Sequence, residues 1–285
     1  MSTPSLITLS RPRFWLYELG TYALGSVAAG VAIFDPQTFT LFWAFVAYFL
    51  FPANLLIYGV NDVYDYETDR NNPKKQGYEG LLEPQWHPYV LRRIVLWNVP
   101  WLLALPWLSM PAVVTLIMFV LCATFYSAPP IRAKARPILD SLFSAGHYVA
   151  TGVFGYLLVS GASTPDWTVV VAAMAWCVAM HAYSAVPDIP SDTEAGLSTI
   201  ATMLGARGTH LLCVFLYILA TMLVWRTLGW VAVLGGGAYV LLMGLSYGQG
   251  ERTLMRLYQR FPLVNALVGA GITMVLLDRS FHLFS

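Results

Sequence analysis

The chain is 285 residues long and poor in charge: hydrophobic residues make up 58% of it and charged residues only 11%. A soluble domain carries about 25% charged residues, so the composition excludes an ordinary soluble protein and indicates a polytopic membrane protein. The formal net charge of +1 gives no indication of nucleic-acid binding. Cys122, Cys177 and Cys213 stand within apolar stretches and lack metal-binding spacing, which predicts buried thiols.

Taken in chain order, apolar segments of about 20 residues predict membrane-spanning helices. The first follows Arg11 and Arg13 and is longer than the apolar core of a signal peptide, so we expect it to be retained. The sequence therefore predicts an all-α membrane protein with a single domain over residues 1–285. The nine predicted spans are 14–34, 39–60, 89–108, 111–128, 138–160, 167–187, 208–227, 229–248 and 261–279.

The basic residues are distributed unequally between the two sides of these spans. Fourteen lysines and arginines fall on the side of the N-terminus, and only Arg226 and Arg279 fall on the other. The positive-inside rule then predicts a cytoplasmic N-terminus and a C-terminus outside. Most acidic residues fall on the cytoplasmic side too, so we expect the active site there. The predicted cytoplasmic loops are approximately 61–88, 126–137, 188–207 and 249–260.

The stretch "YGVNDVYDYETDRNNPKK" places an acidic group directly after the second apolar segment. Asp62, Asp65 and Asp69 are spaced i, i+3, i+7, so on a helix they share one face, within about 60° of one another. Asn61 lies at the edge of that face. Like charges so close destabilise a helix unless a cation lies between them, and carboxylate oxygens favour magnesium, manganese or calcium. We predict that Asp62, Asp65 and Asp69 bind a divalent metal; the alternative is a solvated loop.

A second acidic group lies in "VPDIPSDTEAG". Asp188 and Asp192 are spaced i, i+4, but Pro187 and Pro190 argue against a continuous helix through them. We expect one helix to end near Pro187 and a short one to begin near Pro190. Aspartates bind phosphate through metal ions. Two such groups therefore favour a pair of metals that hold one polyanion.

Positive side chains near the acidic groups are candidates for binding the polyanion directly. Arg70 and Lys74 follow the first group, and Arg132 and Lys134 stand in the loop "YSAPPIRAKARP". Each has the alternative of being a cytoplasmic charge without a further role. Asn54 lies seven residues before Asn61, on the same predicted helix face, and we expect it to point into the site.

A metal-bound diphosphate beside an apolar membrane chamber favours an allylic diphosphate as substrate. Metals and basic side chains stabilise the departing diphosphate, and a water-free chamber protects the carbocation. A lipid-soluble acceptor would enter from the bilayer. The alternative from another class is a cation transporter, although transporters place their ions near the middle of the membrane.

These motifs resemble the UbiA-type intramembrane prenyltransferases. "NDVYDYETD" resembles the first aspartate motif of that family, N-D-x-x-D-x-x-x-D, and "DIPSD" resembles its second, D-x-x-x-D. "YSAPPIRAKARP" resembles the family's tyrosine-and-basic loop, and nine spans match its fold. "SRPRFW" and "LSTIATMLGARG" are most similar to the bacterial and archaeal lycopene elongases.

The resemblance implies transfer of dimethylallyl units from dimethylallyl diphosphate to the ends of lycopene in carotenoid biosynthesis, with or without addition of water. It implies Mg²⁺, as two ions that bridge the diphosphate, and a multi-pass protein of a bacterial or archaeal cell membrane. It implies no nucleic-acid partner. The runner-up is the same chemistry on an aromatic compound, a quinone precursor or another lipid. By resemblance, Asp62, Asp65, Asp188 and Asp192 are catalytic, Asn61 and Asp69 join the first magnesium-diphosphate contact, and Tyr126, Arg132 and Lys134 bind the diphosphate.

Overall fold

A computed structural model describes residues 3–30, 35–70, 80–161 and 163–281. Over these ranges the regular structure is helical and contains no β-strand, as the all-α prediction requires. The chain divides into two compact units, which we describe separately. The first comprises Met1–Ala133 and Ala150–Ser163, and the second comprises Lys134–Val149 and Thr164–Ser285. One helix, Leu139–Ser160, contributes to both units, and the predicted single domain stays a prediction.

The first unit is built from helices that mostly begin at a proline or a capping side chain. Pro36 and Pro52 each occupy the first helical position, where their missing N–H is tolerated. Asp35 caps one of these helices by accepting the Thr38 N–H. The α-helices are α1 Leu6–Leu9, α2 Trp15–Ala28, α3 Pro36–Leu50, α4 Pro52–Tyr64, α5 Tyr66–Asp69, α6 His87–Asn98, α7 Met110–Phe125 and the C-terminal part of α8, Leu139–Ser160.

Aromatic side chains form the core of the first unit. Phe45 and Phe154 pack edge to face with centroids 4.6 Å apart, and Phe49 contacts both Tyr22 and Phe119. All five are fully buried. Such contacts between α2, α3, α7 and α8 fix the positions of α2 and α8, which carry buried polar groups discussed below.

The second unit contains the N-terminal part of α8 and five further helices. Its most extensive helix packing involves one helix, Ile200–Leu228, which packs against Trp167–Ala185 and Trp230–Ser246. Tyr217 stacks on Tyr239 at 4.5 Å, and Tyr183 contacts Phe261. The five helices are α9 Trp167–Ala185, α10 Ile189–Glu194, α11 Ile200–Leu228, α12 Trp230–Ser246 and α13 Glu251–Phe281.

The helices have the length and the surface of a membrane protein. Five stretches are long and apolar enough to cross a membrane: Pro36–Tyr64, Leu139–Ser160, Trp167–Glu194, Ile200–Leu228 and Glu251–Ser280. Large apolar side chains such as Leu103, Trp230 and Leu234 are at least 70% exposed, as lipid contact requires. The predicted count of nine spans and the orientation stay predictions.

The predicted span 89–108 differs from the structure in its second half. Helix α6 ends at Asn98, and residues Val99–Trp107 continue as a 3₁₀-helix. Pro100 and Pro106 explain the change, because each lacks the N–H that an α-helix would use. The sequence pattern located the apolar segment correctly but not its helical type.

Candidate active site

The first acidic group lies at the end of α4. Asp62 and Asp65 are 5% and 0% exposed, and Asp69 is 8% exposed. The helix is interrupted at one residue: α4 ends at Tyr64, Asp65 has φ −104° and ψ 5°, and α5 begins at Tyr66. The Thr68 hydroxyl and N–H both bond to the Asp65 carbonyl. The Asp65 and Asp69 N–H groups still donate to the carbonyls four residues earlier, and all three aspartates are buried. Their binding of a metal stays a prediction.

Asp65 is held by two polar side chains. The Asn61 amide donates to Asp65 Oδ2 at 2.6 Å, and the Ser127 hydroxyl donates to the same oxygen at 2.7 Å. The Asn61 amide also lies 3.1 Å from Ser127 Oγ. This network connects the first aspartate motif to the basic loop, which confirms that the two are neighbours. Ser127 was missed as a site residue, although it stands within the quoted loop.

Asp62 forms a buried ion pair with Arg11. Arg11 Nη2 lies 2.7 Å from Asp62 Oδ1, and the two side chains are 8% and 5% exposed. The Arg11 guanidinium also lies over the ring of Tyr58, 4.7 Å from its centre. Arg11 has a positive φ of 52°, which turns the chain just before α2. Sequence reasoning missed Arg11, and its only signal was the stretch "SRPRFW".

The predicted metal ligands have the right chemistry, but the protein alone does not complete a cation site. Within residues 3–30, 35–70, 80–161 and 163–281, no three His, Cys, Asp or Glu side chains form a group that could hold a metal ion. Mg²⁺ is usually bound through one or two carboxylates, with waters and substrate phosphates completing six oxygens. Buried Asp62 and Asp65 therefore fit magnesium bound together with a diphosphate.

Three other residues near the first acidic group were predicted to bind the diphosphate, and they differ in exposure and surroundings. Arg70 is 55% exposed and pairs with Glu67, which is 73% exposed. Lys74 lies outside the described residues. Asn54 is fully buried, and its amide donates to the carbonyls of Phe49 and Leu50, at the junction of α3 and α4. This structural contact uses the donor hydrogens of Asn54, and its predicted role in binding diphosphate stays a prediction.

The loop after α7 carries the other predicted diphosphate-binding residues. Tyr126 is the C-terminal cap of α7 and is half-buried. Arg132 has a positive φ of 45° and donates its backbone N–H to the Ala128 carbonyl. Both belong to the first unit, whereas Lys134 is the first residue of the second. The basic side chains follow a sharp turn, as the proline pair predicted.

The second acidic group lies in the second unit and has the predicted interruption. Helix α9 ends at Ala185, residues 186–188 form a 3₁₀ turn, and α10 begins at Ile189. Asp188 and Asp192 are half-buried. The Asp192 carbonyl accepts the Leu197 N–H at 2.8 Å. This bond closes the turn that connects α10 to α11.

Asp140 anchors the start of α11. Its Oδ2 accepts the Ile200 N–H at 2.8 Å, and the side chain is 1% exposed. Thr199 and Thr202 complete a capping box at the same helix end. These bonds fix one end of the segment that carries Asp188 and Asp192.

Comparison with known proteins identifies the family. The UbiA prenyltransferase family matches residues 19–272. The chain is 38% identical over 282 residues to a lycopene elongase/hydratase of Haloferax volcanii, covering 94% of this chain and 87% of the relative. It is 37% identical over 281 residues to a lycopene elongase/hydratase of Haloarcula japonica, covering 95% and 90%.

Solved structures show the same fold. A UbiA homolog from Archaeoglobus fulgidus bound to GPP and Mg²⁺ superposes with a TM-score of 0.68 at 18% identity, covering 95% of this chain and 99% of that one. The same homolog bound to DMAPP and Mg²⁺ gives 0.65 at 17% identity, covering 96% and 99%. The predicted resemblance is confirmed, and the transporter alternative is not favoured. The chain belongs to the UbiA prenyltransferase family and is a prenyltransferase enzyme.

Proposed function

We propose that this enzyme transfers a dimethylallyl group from dimethylallyl diphosphate to the ends of lycopene. The observation that carries the proposal is the similarity of nearly the whole chain to two lycopene elongase/hydratases at 37–38% identity. The pair of buried aspartates at the end of α4 supports it, because carboxylates bind the metals that bind diphosphate.

Asp62 and Asp65 would hold Mg²⁺ through their oxygens, with Asp69 as a third acid of the same group. Asp188 and Asp192 would serve the same diphosphate as a second group. When bound, magnesium supplies positive charge that stabilises the departing diphosphate. Structures of a UbiA homolog with an allylic diphosphate and Mg²⁺ support this choice of metal for the family.

The remaining polar residues orient the acids and the substrate. Asn61 and Ser127 fix the Asp65 carboxylate in one orientation. Arg132 and Lys134 would neutralise diphosphate oxygens, with Tyr126 as a hydrogen-bond donor. Preorganised donors and charges of this kind stabilise developing charge without reorganisation. We include Arg70 and Lys74 as outer charges of the same group.

The apolar surroundings account for the second half of the reaction. Loss of diphosphate leaves an allylic cation, which water would destroy, and a membrane environment excludes water. The terminal double bond of lycopene then attacks the cation. The tertiary cation that results loses a proton or takes up water, and the proposal includes both outcomes.

The test incubates membranes that contain the enzyme with lycopene and dimethylallyl diphosphate, with and without Mg²⁺. Asp65→Asn is the test variant, and Glu67→Gln is the matched control, because Glu67 is an exposed acid two residues away. We expect products heavier by one or two five-carbon units. These should require Mg²⁺, fall at least tenfold in Asp65→Asn and stay unchanged in Glu67→Gln.

The acceptor is tested separately from the chemistry. If lycopene gives no product while an aromatic acceptor does, the prenyl transfer stands and lycopene is wrong. If Asp65→Asn keeps full turnover, the assignment of this residue to the metal is wrong. Product masses also distinguish deprotonation from addition of water.

A further inference from the structure

A buried carboxylate outside both aspartate groups has no role in the scheme so far. Glu18 lies in the first turn of α2 and is 1% exposed. The Thr151 hydroxyl of α8 donates to Glu18 Oε2 at 2.7 Å. Tyr22 and Ser26 continue the same buried face of α2. Both partners of the Glu18–Thr151 bond belong to the first unit.

Glu18 lies deeper in the apolar part of the first unit than the aspartates. The ring of Phe14 contacts Tyr58 at 5.7 Å, and Tyr58 stands one turn before Asp62. Glu18 stands one turn after Phe14 along α2. Tyr22, further along α2, contacts Phe49, which precedes Tyr58, so the two segments run in opposite directions. Four residues of helix rise on each side then place Glu18 roughly 12 Å from Asp62 along the helix axes. It therefore lies further from the described acidic group, along the apolar helices of the first unit.

A structural hydrogen bond alone does not explain a carboxylate here. A glutamine would accept the Thr151 bond without the free energy of burying a charge. The first turn of α2 stabilises a negative charge through the helix dipole. An anion fixed in water-poor surroundings interacts strongly with a nearby cation. A carboxylate at this position therefore suits a reaction that forms a carbocation.

We propose that Glu18 is the base that ends the prenyl transfer, an inference that rests on the proposed function. The allylic C–O bond breaks, and its electron pair leaves with the diphosphate. The acceptor double bond gives its π electrons to the allylic carbon, which forms the new C–C bond and a tertiary cation. A neighbouring C–H bond then becomes a double bond, and its proton passes to Glu18. When water adds to the cation instead, the surplus proton of the water passes to the same carboxylate.

Two variants separate the charge from the hydrogen bond. Glu18→Gln keeps an acceptor for Thr151 but removes the charge, whereas Thr151→Val keeps the charge but removes the donor. Ser26→Ala is the matched control, because Ser26 lies on the same buried face and bonds within α2. Turnover and the ratio of alkene to alcohol product are measured with lycopene, dimethylallyl diphosphate and Mg²⁺. Protection of the purified protein against heat by Mg²⁺ and diphosphate reports folding and binding.

We expect Glu18→Gln to lose about 100-fold in turnover, within the usual range for a general base, with unchanged protection by magnesium diphosphate. Glu18→Asp should recover part of the loss, and Thr151→Val should lose less than tenfold while its product ratio changes. A Thr151→Val enzyme more impaired than Glu18→Gln, or a fully active Glu18→Gln enzyme, would overturn the role of Glu18. If Glu18→Gln fails to fold, Glu18→Asp decides instead: reduced turnover with unchanged protection by magnesium diphosphate supports the base, and wild-type turnover with a wild-type product ratio overturns it.

The wild-type reaction separates this inference from the proposed function. A wild-type enzyme that is protected by magnesium diphosphate but makes no product from lycopene overturns the acceptor, and the role of Glu18 with it. An active wild-type enzyme beside an equally active Glu18→Gln enzyme overturns the role of Glu18 alone.

Discussion

The aspartates of the first motif are held by residues far away in sequence. Arg11 reaches Asp62 across 51 positions, and Ser127 reaches Asp65 across 62. Spacing within a motif predicts which side chains share a face, but it contains no information about such distant partners. For this reason the acids could be predicted from the sequence, whereas Arg11 and Ser127 could not.

The ion pair between Arg11 and Asp62 makes a prediction about stability and magnesium. Replacing Arg11 by Gln leaves the Asp62 carboxylate buried without its guanidinium partner. Removal of one member of a buried pair lowers the free energy of unfolding by about 3–5 kcal/mol. We therefore expect a lower unfolding temperature for Arg11→Gln without Mg²⁺. Mg²⁺ and diphosphate should restore part of the lost unfolding temperature, since a divalent cation can replace the missing positive charge beside Asp62.

Arg13→Gln is the matched control for this experiment. Arg13 is two residues away and exposed, with its guanidinium over the ring of Phe14, so its loss should shift the unfolding temperature little. The measurement is thermal unfolding of purified protein with and without ligand. An Arg11→Gln protein as stable as wild type, or one that Mg²⁺ and diphosphate stabilise no more than wild type, would contradict the expectation.

At the scale of helices, the hydropathy pattern predicted where the apolar segments lie but not how they are interrupted. The predicted span 39–60 is two helices, because Pro52 begins α4 directly after α3. The interruption near Pro187 was predicted, since two prolines marked it in the sequence. The break at Asp65 has no such mark: it accompanies side-chain bonds to Asp65. Prolines are visible in a sequence, and tertiary hydrogen bonds are not.

The contact between α2 and α8 predicts opposite effects of the same substitution at two glycines. A Cβ at Gly25 would overlap the Gly152 carbonyl oxygen of α8, whereas a Cβ at Gly20, in the same helix, meets nothing within 4 Å. Gly25→Ala should force the backbones apart and destabilise the protein by about 1–3 kcal/mol. Gly20→Ala should be neutral or stabilise by up to about 1 kcal/mol, because alanine favours helix.

Thermal unfolding of the two alanine variants in the same detergent checks this prediction. The comparison is direct, because the intrinsic helix propensity changes by the same amount at both positions. Equal unfolding temperatures for Gly20→Ala and Gly25→Ala would show that α2 and α8 do not approach as closely as described.

The start of α11 offers a second test at this scale. Thr199 accepts the Thr202 N–H at 3.1 Å, and the Thr202 hydroxyl accepts the Thr199 N–H. Thr199→Ala should lower the stability by about 1 kcal/mol, and Thr199→Ser should retain most of it, because serine caps helices about as well. The unfolding temperatures of the two variants provide the measurement. A serine variant as unstable as the alanine variant would point to lost methyl packing instead of a lost cap.

At the scale of the whole molecule, the charge distribution and the number of spans make one joint prediction. The ratio of fourteen basic residues to two predicts an N-terminus in the cytoplasm. An odd number of spans then places the C-terminus outside. Five described helical stretches have the length and composition to cross a membrane. The remaining four predicted spans contain shorter or interrupted helices, such as Met110–Phe125 and Trp230–Ser246. Shorter helices can still cross if flanking turns or local thinning of the bilayer compensate.

Reporter fusions test this arrangement in living cells. An alkaline phosphatase fused after the C-terminus should be active, because that enzyme folds only outside the cytoplasm, and a fusion in the segment 248–250 should be inactive. A fusion near Gly161, which the nine spans place outside, should be active as well. The nine-span arrangement has four spans after Gly161, so the two fusions should lie on the same side of the membrane. An inactive C-terminal fusion beside an active one at Gly161 would contradict this even number of spans. In that case one of the apolar segments beyond Gly161 lies on the membrane or within the protein, while the charge rule for the first half of the chain would still hold.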